Sequence, residues 1–244
     1  MATVDKIKQF LLDILFPRFC LGCGIEGTYL CDDCKATLDI SENQYCLCDK
    51  NTLRLPPNEK VKKCKKCNQK KLSGLYFSLS YKEKPLTRKL IHFFKYPPFY
   101  AKDLAKTLAS LLIDHLLLSE ENPKLFFKES VLIPVPLDKK KHKRRGYNQA
   151  EELAKEISIF LETPLLADNL FKTKTTLSQM ELPEKERREN LKNAFSCREP
   201  EKIKNKKVFL VDDVYTTGST MEECARVLKQ AGAKEVWGIA IARD

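Results

Sequence analysis

The chain has 244 residues, 43% of them hydrophobic and 32% charged, with ten cysteines and a formal net charge of +11. Such an apolar content excludes an intrinsically disordered chain, and the length suits one large domain or two smaller ones. The excess of Lys and Arg persists even with eight cysteines as thiolates on two Zn²⁺ ions, and it favours polyanionic partners such as phosphates and nucleic acid.

The first apolar run, "FLLDILF", is broken by Asp13, has no small-residue cleavage site after it and is too short to cross a bilayer. It therefore predicts neither a signal peptide nor membrane insertion, and the expected location is cytoplasmic. In that compartment cysteines more often bind metal or do chemistry than form disulfides. Eight of the ten fall between Cys20 and Cys67. They read as Cys20 and Cys23, Cys31 and Cys34, then Cys46 and Cys48, Cys64 and Cys67. A Cys-x-x-Cys turn points both sulfurs at one centre, and two such turns supply the closed tetrahedron of a structural Zn²⁺ site. Two sites are implied, the second less regular because Cys46 and Cys48 are one residue apart. The alternative is a set of core or redox cysteines without metal. Cys197 and Cys224 stand alone, and Cys224, beside Ala225 in a helical pattern, is expected in the core.

The composition shifts near Lys71, which predicts an N-terminal helix and double zinc ribbon over 1–71 and an α/β domain over 72–244. "LYFSLSY" reads as a strand, "KYPPFY" as a linker, and Lys102 to Leu118 as a helix with Leu104, Leu108, Leu111 and Leu112 on one face. "SVLIPVPL" (Ser130 to Leu137) reads as a buried strand, and Asn148 to Leu161 as a helix. "KVFLVDDV" and "EVWGIAIA" are two further strands around a helix from about Ser219 to Gln230 that stops at Gly232. Strands alternating with helices imply a mostly parallel sheet covered on both faces.

Asp212 and Asp213 end one of those strands, where ligands bind in open parallel sheets. Thr216, Thr217, Gly218, Ser219 and Thr220 follow just as a helix begins. Backbone N–H groups, the helix dipole and the hydroxyls would cradle a phosphate there, and Gly218 would let the backbone approach closely. The Walker pattern Gly-x-x-x-x-Gly-Lys-Ser/Thr is missing. What remains is an anion site beside two carboxylates that could hold ribose hydroxyls or help bind Mg²⁺, a pairing that fits a sugar phosphate. An ordinary strand-to-helix turn with solvated acids is the alternative.

Lys139, Lys140, Lys141, Lys143, Arg144 and Arg145 crowd one loop after the Ser130 to Leu137 strand. Such a loop could meet a pyrophosphate or, through salt-sensitive contacts, a nucleic-acid backbone; the plain alternative is a solvated loop. Lys62, Lys63, Lys65 and Lys66 could extend one basic track. Tyr76, Phe77, Phe93 and Phe94 could offer stacking faces, although core packing is favoured for them. His92, His115 and His142 are the only histidines, and none stands in an order that marks a nucleophile.

"VFLVDDVYTTGST" resembles the phosphoribosyl pyrophosphate (PRPP) signature of type I phosphoribosyltransferases. The resemblance implies that Asp212 and Asp213 take the ribose hydroxyls and Thr216 to Thr220 the 5′-phosphate. Around it, Pro134 to Leu137, Arg145 to Gln149, and Thr176, Gln179, Leu182, Arg187 and Asn190 resemble motifs of the ComF family, whose members include the ComFC proteins of natural transformation. His92, Lys95 and Tyr96 resemble that family's His-x-x-Lys-Tyr segment, with Pro97-Pro98 where a glycine-containing turn is usual. The likeness implies a phosphoribosyltransferase-like domain behind a double zinc ribbon, PRPP with Mg²⁺ bound through Asp212, Asp213, the following loop and Arg145, and single-stranded DNA bound at Lys139, Lys140, Lys141, Lys143 and Arg144 during DNA uptake. Other DNA-uptake proteins are expected partners. The alternative is a working transferase that moves ribose 5-phosphate from PRPP to a nitrogen acceptor, for which the sequence shows no pocket.

Overall fold

The computed structural model describes residues 17–41, 44–45, 47, 54–55, 67, 69–174 and 191–244. In chain order its elements are α1 (Asp32–Ala36), β1 (Gln44–Tyr45), β2 (Arg54–Leu55), β3 (Leu75–Ser80), α2 (Pro85–Lys95), α3 (Leu104–Ser119), α4 (Pro123–Phe127), β4 (Ser130–Pro134), α5 (Lys139–Arg145), α6 (Gln149–Leu161), β5 (Leu170–Lys172), β6 (Phe195–Cys197), β7 (Lys207–Tyr215), α7 (Ser219–Gln230) and β8 (Glu235–Arg243). The main sheet runs β3-β8-β7-β4, and each neighbouring pair is parallel. This is the α/β, mostly parallel architecture expected from the alternating pattern.

β7 shows why both faces are covered. Its side chains alternate, so Phe209 and Val211 pack with Leu153, Ala154 and Ile157 of α6, while Val208 and Leu210 pack with Met221, Cys224 and Leu228 of α7. Each such fully buried aliphatic or aromatic side chain contributes about 1.5–3 kcal/mol. Cys224 is fully buried, as expected of a core residue. Tyr76 and Phe94 are fully buried too, whereas Phe93 is half-buried and stacks on the exposed Phe99, ring centres 3.7 Å apart.

Two boundaries differ from the sequence reading. The strand read to Leu137 ends at Pro134, although Val135 still donates to the Val211 carbonyl at 2.8 Å; Pro134 and Pro136 have no N–H to continue the ladder. The basic tract, read as a loop, is the helix α5. Asp138 begins it, its carboxylate accepting from the Lys140 N–H at 3.0 Å, and Lys and Arg are good helix formers.

The helices that follow β4 and β7 lie on opposite faces of the sheet. The carboxyl ends of these adjacent strands therefore open a crevice, the usual ligand position in such sheets. No helix among the described residues is long and apolar enough to cross a membrane.

Candidate functional site

Two polar clusters stand out, and the first is local in sequence. Cys20, Cys23, Cys31 and Cys34 bring their sulfurs within 4.8 Å of one another, with Cys20 and Cys23 each 3.6 Å from Cys31. The chain folds back after Cys20, whose carbonyl accepts from Gly24 N–H at 2.8 Å, while Cys31 N–H points at the Cys20 sulfur at 3.4 Å. Gly22 is required at the first turn, because a Cβ there would lie 2.5 Å from the Cys34 sulfur. Burial would raise the Cys20 thiol, but the N–H groups of Cys23, Cys31 and Gly22 bring it down to about 6. The hydrogen bond that the Cys34 thiol donates to Cys31, then burial, push Cys34 up to about 12. Four thiols this close share charge badly unless a cation joins them. A tetrahedron with metal–sulfur bonds of about 2.3 Å has edges of about 3.8 Å, so the four cysteines could hold a metal ion. Of the second quartet, Cys67 is buried, and Cys46, Cys48 and Cys64 lie outside the described residues, as do Lys62, Lys63, Lys65, Lys66 and Thr176 to Asn190.

The second cluster is a cavity of about 480 Å³ in the crevice between β4 and β7. Asp212, Asp213 and the whole loop Thr216 to Thr220 line it, and so do Lys141, Arg144, Arg145 and Lys172 from the opposite side. Asp213 continues the register of Phe209 and Val211, so its side chain leaves the sheet on the α2 and α6 face. There its Oδ2 lies 2.7 Å from Lys95 Nζ, with the carboxylate only 3% exposed. Asp212 turns back, its Oδ1 accepting from the Asp213 N–H at 2.9 Å. Burial, and then the charge on Asp213, push Asp212 well above the usual carboxylate range. Burial acts on Asp213 as well, but the Lys95 ammonium outweighs it and holds that group below its usual range. The two carboxylates thus sit in unlike surroundings, Asp213 facing the Lys95 ammonium and Asp212 turned back on the backbone. With Asp213 already paired to Lys95, carboxylates so placed can accept from hydroxyl groups.

Gly218 starts α7 with φ +74°, a backbone that L residues adopt at a cost, and an added Cβ would overlap the Tyr215 ring. Gly218 offers no side chain to cap the helix, the Ser219 N–H donates to Thr217 Oγ1 at 3.3 Å, and the positive end of the α7 dipole faces the cavity. The Thr217 and Ser219 hydroxyls lie 2.9 Å apart at the same end. Across the cavity Arg145 is 8% exposed, yet among the described residues its Nε and Nη1 have no hydrogen-bond partner; neither has Oε1 of the buried Gln149. Buried polar atoms of this kind are rare without a partner, so these two side chains mark where a ligand's polar atoms belong. Lys141 has its affinity for a proton lowered by burial and then by the Lys95 charge, the sign of a crowded positive wall.

The structure therefore brings the acid pair, the loop and Arg145 to one cavity. It divides the basic tract, because Lys141 and Arg144 line the cavity while Lys139, Lys140 and Lys143 are exposed on α5 outside it. Sequence reasoning missed Lys95 as a site residue, although the resemblance had singled out its segment. It also missed Tyr147, whose hydroxyl donates to the Phe94 carbonyl and so fixes the turn that carries Lys95. Asn148 holds the local frame, its Oδ1 capping α6 at Ala150 N–H (3.2 Å) and its Nδ2 donating to the Val135 carbonyl (3.1 Å).

An acid pair and a glycine-led loop thus meet at the carboxyl end of a parallel strand, in one cavity with Arg145, Lys141 and Arg144. The family model "Phosphoribosyl transferase domain" matches residues 113–243, more than half of the chain, and the chain belongs to that family. More particular likenesses are to "Competence protein F" of Haemophilus influenzae, 41% identical over 138 residues (55% of this chain, 60% of that one), and to "DNA utilization protein YhgH" of Escherichia coli O157:H7, 35% identical over 150 residues (61% and 64%). "Competence protein ComFC" of Streptococcus pneumoniae is 27% identical over 221 residues, 89% of each chain. With the domain match, these relatives make it a ComF-family protein. The chain spans less than two thirds of the length of the first two relatives.

Proposed function

We propose that this protein binds PRPP in the crevice, with Mg²⁺ carried in on the pyrophosphate, and handles single-stranded DNA along α5 in the course of DNA uptake. One observation supports the ligand most strongly: the cavity sets a buried carboxylate pair and a glycine-led helix start against an Arg145 whose buried Nε and Nη1 lack partners among the described residues. In this reading Asp212 and Asp213 accept from the ribose hydroxyls, Thr216, Thr217, Gly218, Ser219 and Thr220 surround the 5′-phosphate, and Arg145 meets the pyrophosphate. Transfer of the sugar from PRPP would need no protein nucleophile, since pyrophosphate leaves an oxocarbenium-like centre and positioning does most of the work.

The DNA part of the proposal draws on the names of the competence and DNA utilization relatives and on the exposed Lys139, Lys140 and Lys143 beside the cavity mouth. We further assign Zn²⁺ to Cys20, Cys23, Cys31 and Cys34, and a second Zn²⁺ to Cys46, Cys48, Cys64 and Cys67. The division into 1–71 and 72–244 and a cytoplasmic location complete the reading. The segment at the division is tied to the phosphate loop's helix, for Glu222 of α7 accepts from the N–H groups of Lys71 and Leu72.

The test is a calorimetric titration of PRPP and Mg²⁺ into the zinc-loaded protein, with and without a short single-stranded oligonucleotide. Saturable heat that shifts when DNA is present is the expected result. Heat indifferent to DNA would favour a transferase acting on a nitrogen acceptor, and no heat at all would remove PRPP.

A further inference from the structure

The stretch that ends the cysteine-rich part of the chain reaches the underside of the Thr216 to Thr220 loop. Lys70 is tied to both halves of the second cysteine set: its N–H donates to the Cys67 carbonyl at 2.9 Å, and its Nζ donates at 3.0 Å to the carbonyl of Leu47, the residue between Cys46 and Cys48. The same ammonium lies 3.5 Å from the Tyr215 hydroxyl. That hydroxyl sits against Gly218, where an added Cβ would overlap it, so the place of the Tyr215 ring decides how the loop turns into α7. A turn further on, Glu222 accepts from the N–H groups of Lys71 and Leu72. Apolar packing follows the same route, because the buried Leu47, Cys67 and Leu72 share one core cluster with Tyr215 and Met221. The loop is thus held from behind by a segment none of whose described residues lines the cavity.

We propose that Lys70, acting through the Tyr215 hydroxyl, is a positioning residue of the Thr216 to Thr220 loop, so that the segment Cys67 to Leu72 couples the order of that loop to the second cysteine set. The ammonium suits this post, since its three donors let it hold the Leu47 carbonyl and the Tyr215 hydroxyl at once. The coupling is reciprocal: whatever loosens the segment weakens a ligand in the loop, and a ligand in the loop holds the segment. This rests on the PRPP reading above and names what regulates that site.

Backbone hydrogen exchange of the ligand-free protein and calorimetric titration of PRPP with Mg²⁺ test it, on the zinc-loaded wild type, Lys70→Met, Lys70→Arg, Tyr215→Phe and the double variant of Lys70→Met with Tyr215→Phe. Lys70→Met and Tyr215→Phe should each speed exchange at Thr216 to Thr220 but not in β7 or β8. Each should also cost about tenfold in PRPP affinity, the loss expected for one charged hydrogen bond. The double variant should lose no more than either single one, because both changes break the same contact. Lys70→Arg, whose guanidinium can donate to both partners, should keep the loop's protection and the affinity. Unchanged exchange at the loop in Lys70→Met overturns the proposal, and so do additive losses in the double variant, which would mean that the two side chains act separately. Tyr215→Phe keeps the ring and its packing, so unchanged loop exchange in that variant overturns the proposal should Lys70→Met fold poorly. No PRPP heat from the wild type would sink the PRPP reading alone, for loop exchange in the same variants would still uphold or overturn the role of Lys70.

Discussion

The cysteine cluster and the cavity are both polar assemblies set into an apolar framework, yet they are built in opposite ways. The cluster draws all its groups from Cys20 to Cys34, and its sulfurs face one another. The cavity joins Lys95, Arg145 and Asp213 across more than a hundred residues, and Nε and Nη1 of Arg145 and Oε1 of Gln149 lack hydrogen-bond partners among the described residues. The first arrangement could be closed into a cross-link by a metal ion, which would be a contribution to stability. The second is left open, and open polar groups are a contribution to binding paid in stability. Leu21, Leu30 and Leu38 pack into the same core as α2 and α3, so the cluster also braces the helix that carries Lys95.

That contrast predicts a double dissociation. Replacing Cys20 and Cys31 by Ser should lower the melting temperature by about 10 °C through loss of the metal cross-link, yet change PRPP affinity less than about threefold. A large affinity loss with little change in melting would reverse the assignment of the two regions. Gly218→Ala should do the converse. Its Cβ would meet the Tyr215 ring in a left-handed backbone, so PRPP affinity should fall about tenfold while the melting temperature moves by only a few degrees.

His115 tests the joint between the regions. Its Nδ1 donates to the Ser41 carbonyl, Ser41 N–H donates to the edge strand β3 at Ser78, and burial pulls the imidazole down to about 4. Its folded value lies below the unfolded one, so the associated stability is complete above pH 6.5 and declines as pH falls towards 4. About 3 kcal/mol should be lost over that window. An NMR titration of the ring should give a midpoint near 4, and a midpoint near 6.5 would mean that the joint is not closed. The smallest effect is expected on α5: changing Lys139, Lys140 and Lys141 to Ser should weaken DNA binding and reduce its salt slope by about 2 to 3. An unchanged slope would remove α5 from any nucleic-acid interface.

The same contrast explains what the sequence disclosed. The cysteine turns and the stretch from Asp212 to Thr220 are contiguous, and their chemistry is written in spacing; α7 begins and ends where its pattern places it. Lys95 was legible only as part of a resemblance, because its partner Asp213 is brought to it by the packing of α2 against the sheet and by nothing local. Arg145 is set apart within the basic run by the resemblance, and burial then separates it from its exposed neighbours Lys139 and Lys140. The run reads as a loop because dense like charge suggests solvation, yet Asp138 supplies a cap and Lys and Arg are good helix formers.

The central claim is that the acid pair and its loop hold PRPP. The most direct test is a PRPP titration in Mg²⁺ of the zinc-loaded wild type against the variant with both Asp212 and Asp213 changed to Ala. The account predicts saturable binding by the wild type and none by the variant, with both proteins melting cooperatively. Unchanged affinity in the folded variant would contradict it.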